Sequence, residues 1–224
     1  MLLLAFDTTA AACSVAVVKN DDVLASACVR MEQGQAEALV PLIERIMAAA
    51  GISYAALERI AVTVGPGSFT GVRVGLSTAR ALGLAAHKPV VGVSTLDVLA
   101  AAVPREERAR FPTLLAVIDT KRGNLYAQTF AASDLAPRTA PVALPPADLA
   151  DWIGEANVLI VGDGMSEALK MLPGATASSA DPLPDARILA RLAAARAHDA
   201  AGPLPLYVLP PRITLAPHGG KLRP

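Results

Sequence analysis

Apolar and polar positions along this chain fall into a pattern that runs through once and then starts again. Residues 2–6 are an unbroken apolar run, the mark of a strand buried on both faces. Residues 13–19 and 23–29 read as two further strands, and Asn20, Asp21 and Asp22 between them favour a tight reversal. Leu39, Ile43, Ile46 and Met47 recur at three- and four-residue steps, which predicts a helix over 35–50 closed by Gly51. Pro41 inside it lacks an amide donor and should bend the helix, unless the regular turn starts only there. Residues 60–64 then predict a strand, 69–86 a long helix, 89–93 a strand and 95–102 a helix.

A three-strand meander followed by helix, strand, helix, strand and helix is the order of a ribonuclease-H-like lobe, a mixed sheet covered by helices. Residues 103–111, with Pro104, two Glu and three Arg, are the only strongly charged stretch and make a natural boundary. Beyond them the pattern restarts. Strands are predicted over 114–118, 125–130, about 139–143 and 158–161, with helices near 146–153, 165–171 and 185–198. Pro-rich joints at 141–146 and 182–184 make the second half look abbreviated, and residues 203–224 read as a Pro-rich, extended tail. The expected organisation is therefore an N-terminal lobe over 1–103, an abbreviated C-terminal lobe over 104–202, and the tail. Two such half-units define an α/β fold of the two-lobed, actin-like ATPase type.

Composition narrows the function. The 224 residues hold 20 Lys+Arg against 20 Asp+Glu and are 53% hydrophobic, the reverse of a charge-driven disordered chain. A neutral chain lacks the basic surface that displaces counterions from RNA or DNA, and 4% aromatics leave few stacking platforms. No direct nucleic-acid binding is expected; if the protein serves an RNA, another component holds it. The mean hydropathy of +0.44 raises the membrane question. The apolar stretches 1–18 and 89–103 are interrupted by Asp7 and Asp97 and fall short of a ~20-residue span. A cytoplasmic chain without membrane attachment is expected. Cys13 and Cys28 are too few for a disulfide framework or a zinc site. A two-residue turn at Asn20-Asp21 would set them opposite each other, so a cross-strand disulfide is open, with two reduced core thiols the favoured reading.

Two segments could carry chemistry. Asp7, Thr8 and Thr9 follow the first strand, at the end where sheets of this kind meet their ligands, and could hold a metal or phosphate or simply cap a turn. The run Gly65-Pro-Gly67-Ser68-Phe-Thr-Gly71 lies between a strand and a helix, where backbone amides can cradle phosphate. It has no P-loop Lys, Pro66 removes an amide, and its glycine spacing is one residue too long for a dinucleotide fingerprint. The favoured reading is structural: Gly71, Gly75, Ser77 and Ala79 line the helix with small residues that admit a close neighbour. Phe69, Val72, Val74, Leu76, Leu82 and Leu84 surround that helix with apolar side chains, more than one core face requires. A partner subunit would account for the rest. His87, His198 and His218 show no ligand-like spacing, and Ser68 is in no nucleophile elbow. Neither a catalytic set nor a metal site nor a cofactor is expected.

The stretches LLAFDTTAAACSVAV, GQAEALVPLIERIM, VGPGSFTGVRVGLSTARALGLA and VVGVSTLDVLA are similar to the TsaB (YeaZ) family, the smaller paralogues of TsaD in bacterial tRNA threonylcarbamoyladenosine synthesis. The resemblance covers residues 2–103 and continues more weakly through AVIDTKRGNLYAQTF, VGDGM and PLYVL. It implies a non-catalytic subunit that pairs through two N-lobe helices with TsaD, or with itself when alone, and joins TsaE in a larger assembly. Gln35, Glu37, Leu39, Val40, Ile43 and Met47 of the first helix, and Phe69, Gly71, Val72, Arg73, Gly75, Leu76 and Ala79 of the second, would form the partner interface. Asp7, Thr8, Thr9, Gly67 and Ser68 would be a vestigial phosphate site. The two metal histidines of TsaD align with Thr95 and Leu99. Two departures stand out: Gln35-Ala36-Glu37 where relatives commonly have His-Ser-Glu, and Asn124 where they have a Glu. The alternative is an autonomous small ATPase or kinase of the actin-like type, built on Asp7, Thr8 and residues 65–71.

Overall fold

The structure is a computed structural model that describes residues 1–154, 156–198 and 201–209. Strands β1 (Leu2–Asp7), β2 (Ala12–Lys19), β3 (Asp22–Arg30), β4 (Arg59–Thr63) and β5 (Val90–Val93) form one sheet, ordered β3-β2-β1-β4-β5. β1 is antiparallel to β2 and parallel to β4. Helices α1 (Gln35–Ala50), α2 (Phe69–Ala86) and α3 (Thr95–Ala102) connect the later strands, and α4 (Arg105–Arg108) is a single turn in the charged stretch. A second sheet contains β6 (Thr113–Asp119), β7 (Leu125–Ala131), β8 (Val142–Leu144), β9 (Val158–Val161) and β10 (Thr176–Ala177), ordered β8-β7-β6-β9-β10 when read from the same side. Its topology repeats the first. Its outer strands are only three and two residues long, which gives the second lobe its reduced size. Helices α5 (Leu149–Ile153), α6 (Met165–Met171) and α7 (Ala186–Ala194) complete the chain.

β1 is buried along its whole length because helices cover both faces. Leu2, Leu4 and Phe6 meet Leu39, Ile43, Met47, Val72 and Leu76 of α1 and α2. Leu3 and Ala5 point the other way, with Ala16 and Ala61, onto Ala186, Leu189, Ala190 and Ala193 of α7. Alanines on both sides let α7 lie close against the strands.

The central helices are exchanged between the sheets. α7 follows the second sheet in sequence but packs on the first. α3 precedes the second sheet, yet Leu96, Leu99 and Ala100 pack on Leu114, Ala116, Phe130 and Leu159 there. The opposite face of the second sheet is closed by Leu149 and Ala168 of α5 and α6.

α1 runs unbroken through Pro41 and ends on Gly51, whose backbone is left-handed at φ +66°. The hairpin register differs from the expectation for the cysteines. The two-residue turn is present, with Lys19 opposite Asp22, but Val18 faces Val23 while Val17 faces Ala25, so Leu24 is an extra residue. That bulge shifts the rest of the ladder by one. Cys13 is paired with Val29 and Cys28 with Ser14, so the two thiols lie on opposite faces: Cys13 buried, Cys28 exposed, both free. The disulfide is excluded in this register, and Cys28 is not a core thiol. Residues 203–207 have no regular secondary structure and lie against the first lobe, 208–209 bend, and 210–224, including His218, fall outside the described residues. Among the described residues, no helix is long and apolar enough to cross a membrane.

Candidate functional site

Asp7 ends β1 with its carboxylate fully buried. Oδ1 accepts hydrogen bonds from the Thr9 hydroxyl (2.6 Å), the Thr63 hydroxyl (2.6 Å) and the Thr9 amide (3.2 Å), whereas Oδ2 has no partner. Burial pushes the Asp7 pKa up, and the bonds from Thr63 and Thr9 only partly oppose it. The Thr8 hydroxyl donates to the Gly71 carbonyl (2.7 Å), and the Thr9 hydroxyl lies 3.2 Å from that of Thr95.

The 65–71 turn is folded onto this strand end. A Cβ on Gly67 would stand 2.5 Å from the Thr9 carbonyl oxygen, and one on Gly75 2.9 Å from the Thr8 hydroxyl. The Ser68 amide donates to the Thr9 carbonyl (2.8 Å), the Gly71 amide to the Ser68 hydroxyl, and the Val72 amide to the Ser68 carbonyl. Asp7, Thr8, Thr9, Gly67 and Ser68 are thus brought together as an interlock of the chain with itself. The Ser68, Gly71 and Val72 amides are thereby spent within the chain, which fits the structural reading of the loop. The notches at Gly71 and Gly75 admit the chain's own Thr8 loop, not a partner helix.

Of the two positions that the resemblance sets opposite metal histidines, Thr95 is buried against Thr9 and Leu99 lies in the core beneath the second sheet. No group of three or more His, Cys, Asp or Glu suited to a metal occurs among the described residues. His87 caps the end of α2 in a left-handed conformation.

A cleft of about 480 Å³ opens between the lobes, lined by Ala11, Arg30, Met31, Glu32, Lys121, Asp163, Pro182 and Leu183. Its cations are engaged: Arg30 pairs with Asp181 (2.7 Å) and Lys121 with Asp119 (3.1 Å). Asp163 accepts from the Asp119 amide, and burial raises its pKa. Glu32 and Asp163 would face any triphosphate placed there, an unfavourable meeting of like charges. Asn124 joins the 119–124 turn through its backbone, bonded to Thr120.

The α1–α2 pair presents only part of the expected partner interface to the outside. Leu39, Ile43, Met47, Val72, Leu76 and Ala79 are sealed in the chain's own core, as are Gly71 and Gly75. The half-buried Gln35 side chain donates to the carbonyls of Ala10 and Met31 and so fixes the start of α1. Glu37, Val40, Phe69 and Arg73 are exposed. Other outward positions complete the face: Pro41 and Ala48 on α1, and Ser77, Ala81 and Leu84 on α2. Leu84 is 78% exposed and Val40 49%. Ser77 and Ala81 continue from Phe69 and Arg73 at four-residue steps, and Leu84 follows three residues on, so a helical-wheel reading of α2 finds them.

Two sheets of the same ribonuclease-H-like topology with exchanged central helices make this an actin-like ATPase fold. Component A of (R)-2-hydroxyglutaryl-CoA dehydratase from Acidaminococcus fermentans shares it, at a TM-score of 0.51 and 10% identity over 86% of this chain and 97% of that one. The family described as TsaD, tRNA N6-adenosine threonylcarbamoyltransferase, matches residues 31–144, about half of the chain. YeaZ from Pseudomonas aeruginosa superposes with a TM-score of 0.78 and 29% identity, covering 92% of this chain and 99% of that one. The tRNA threonylcarbamoyladenosine biosynthesis protein TsaB of Escherichia coli (strain K12) is 36% identical over 126 residues, 56% of this chain and 53% of that protein. The matched stretch spans about half the length of such curated relatives. The chain belongs to the TsaD family, in its TsaB (YeaZ) branch.

Proposed function

We propose that this protein is a non-catalytic, activating subunit of the assembly that transfers threonylcarbamoyl to tRNA adenosine, and that it pairs with TsaD through the outer face of α1 and α2. One observation carries the reading: two adjacent helices leave Val40, Phe69 and Leu84 exposed among small side chains, the surface a paired helix face needs. The relatives named for threonylcarbamoyladenosine biosynthesis support the pathway. Thr95 and Leu99, at the positions of the TsaD metal ligands, cannot replace imidazoles, which favours a partner that leaves chemistry to TsaD. The same face would form a homodimer when TsaD is absent, and TsaE would join the pair. The neutral charge fits a subunit that leaves tRNA to its partner.

The autonomous ATPase reading is weaker. It needs phosphate donors at the strand end, where Ser68, Gly71 and Val72 have none to spare, and a cationic cleft, where carboxylates stand. The test is threonylcarbamoyladenosine formation by TsaD, TsaE and substrate tRNA with and without this chain. Activity that depends on the chain, with no ATP turnover by the chain alone, is expected. Full activity without it would end the proposal.

A further inference from the structure

The described part of the C-terminal segment is built into the first lobe. The Leu206 amide donates to the Val64 carbonyl (2.8 Å), and Arg80 donates through Nη2 to the Pro203 carbonyl (2.7 Å). Two glycines make room for it. A Cβ on Gly92 would meet Pro203 at 2.6 Å, and Gly65, at φ +99°, would place one 2.9 Å from the Leu206 carbonyl oxygen. Residues 203–209 are therefore a strap the lobe is shaped to receive.

The strap delivers Tyr207 to the first turn of α2. Its ring lies over Phe69 with centroids 5.5 Å apart, and its hydroxyl accepts from Arg73 Nε (3.2 Å). The Arg73 guanidinium sits 3.8 Å above the Phe69 ring. Each of the three side chains therefore touches the other two, yet all remain exposed, with Phe69 at 39% and Tyr207 at 40%. Burial does not explain so ordered a trio. The tyrosine consumes Nε and the phenylalanine occupies one face of the guanidinium of this exposed residue. Its terminal nitrogens have no carboxylate partner among the described residues. A planar fork held rigid beside two rings matches a carboxylate set in an apolar surface, because the fork loses little freedom on pairing and the rings exclude water.

We infer that Tyr207 is a positioning residue for partner recognition: it holds Arg73 over Phe69 so that the guanidinium engages an acidic side chain of the partner polypeptide. This rests on the proposed pairing with TsaD through α2. The partner contact is thereby extended from the two helices to a third, C-terminal segment, and the trio supplies its charged anchor.

The experiment titrates purified TsaD into the full-length chain by calorimetry, for the unaltered protein and for Tyr207→Ala, Tyr207→Phe and Arg73→Lys, with a thermal melt of each. Tyr207→Ala should weaken binding about tenfold, as loss of an ordered aromatic anchor does. Tyr207→Phe, which keeps the ring but loses the acceptor for Arg73 Nε, should recover only part of it. Arg73→Lys keeps the charge but not the fork and should resemble Tyr207→Ala. Melting midpoints should stay together, because Leu206, Pro203 and Arg80 still hold the strap. Binding by Tyr207→Ala equal to the unaltered chain overturns the inference alone. A loss of binding matched by a loss of thermal stability, unrelieved in Tyr207→Phe, assigns the strap a purely structural role and overturns it too. No binding by the unaltered chain removes the pairing itself, and this inference with it.

Discussion

A Cβ on Gly71 would stand 1.9 Å from the carbonyl oxygen of Thr8, inside any tolerable contact. The obstruction is backbone, held by the Thr8 hydroxyl bonded to the Gly71 carbonyl, so it cannot rotate away. Gly71→Ala should therefore separate α2 from the end of β1 and cost on the order of 3 kcal/mol or more, in the range of severe overpacking. Gly123→Ala, at φ +81° with open space around it, carries only backbone strain and should cost about 1 kcal/mol. Urea unfolding of the two variants checks the contrast; equal midpoints would contradict the packing of the interlock.

Gly75 shows how far sequence reasoning reached here. Small residues at Gly71 and Gly75 signal close approach, and close approach is what the structure has. The neighbour was not legible, because spacing along one helix does not say what lies across from it. Val62 and Thr8 of the same chain fill the notch at Gly75, so a Gly75→Leu change acts on folding and not on a partner. The hydrophobic period placed Phe69–Ala86, Val158–Val161 and Met165–Met171 at their observed bounds. β10 escaped notice since two residues carry no period, and the Leu24 bulge escaped because a turn sets register only until a residue is inserted. The exchange of α3 and α7 is tertiary information that no local pattern contains.

Asp7 gives stability an unusual pH dependence. Its pKa is raised by burial, so the folded chain holds this proton more tightly than the unfolded chain, and Asp163 shifts the same way. Their contribution to stability is greatest at acid pH, falls as pH rises above the ordinary carboxylate value, and levels off above the folded pKa. Asp7→Asn retains an oxygen for Thr9 and Thr63 and carries no charge. It should flatten this decline, so the variant gains on the unaltered protein as pH increases from 4 to 8. Urea midpoints across that range test it; a steeper decline in Asp7→Asn would refute the assignment.

Thiol chemistry reports the hairpin register. Burial raises the Cys13 pKa to about 12 and also raises that of Cys28, which a hydrogen bond with Ser14 partly offsets. At pH 8 an aromatic disulfide reagent should label one thiol per native chain, Cys28, more slowly than a free cysteine, and two after unfolding. Two native thiols reacting at one rate, or a Cys13–Cys28 crosslink under mild oxidant, would contradict the shifted ladder.

The central claim is that the outer face of α1 and α2 is a subunit interface. Leu84, the most exposed large apolar side chain there, gives the cleanest probe, since a substitution at 78% exposure leaves the core untouched. Leu84→Asp should lower affinity for TsaD by tenfold or more, about 1.4 kcal/mol or above, with an unchanged melting midpoint. The decisive measurement is the mass of the species formed when TsaD is mixed with the unaltered chain and with Leu84→Asp, by sedimentation velocity at micromolar concentration. A one-to-one complex with the unaltered chain and separate subunits with Leu84→Asp is the predicted result. Separate subunits in both mixtures, or the same complex in both, would contradict it.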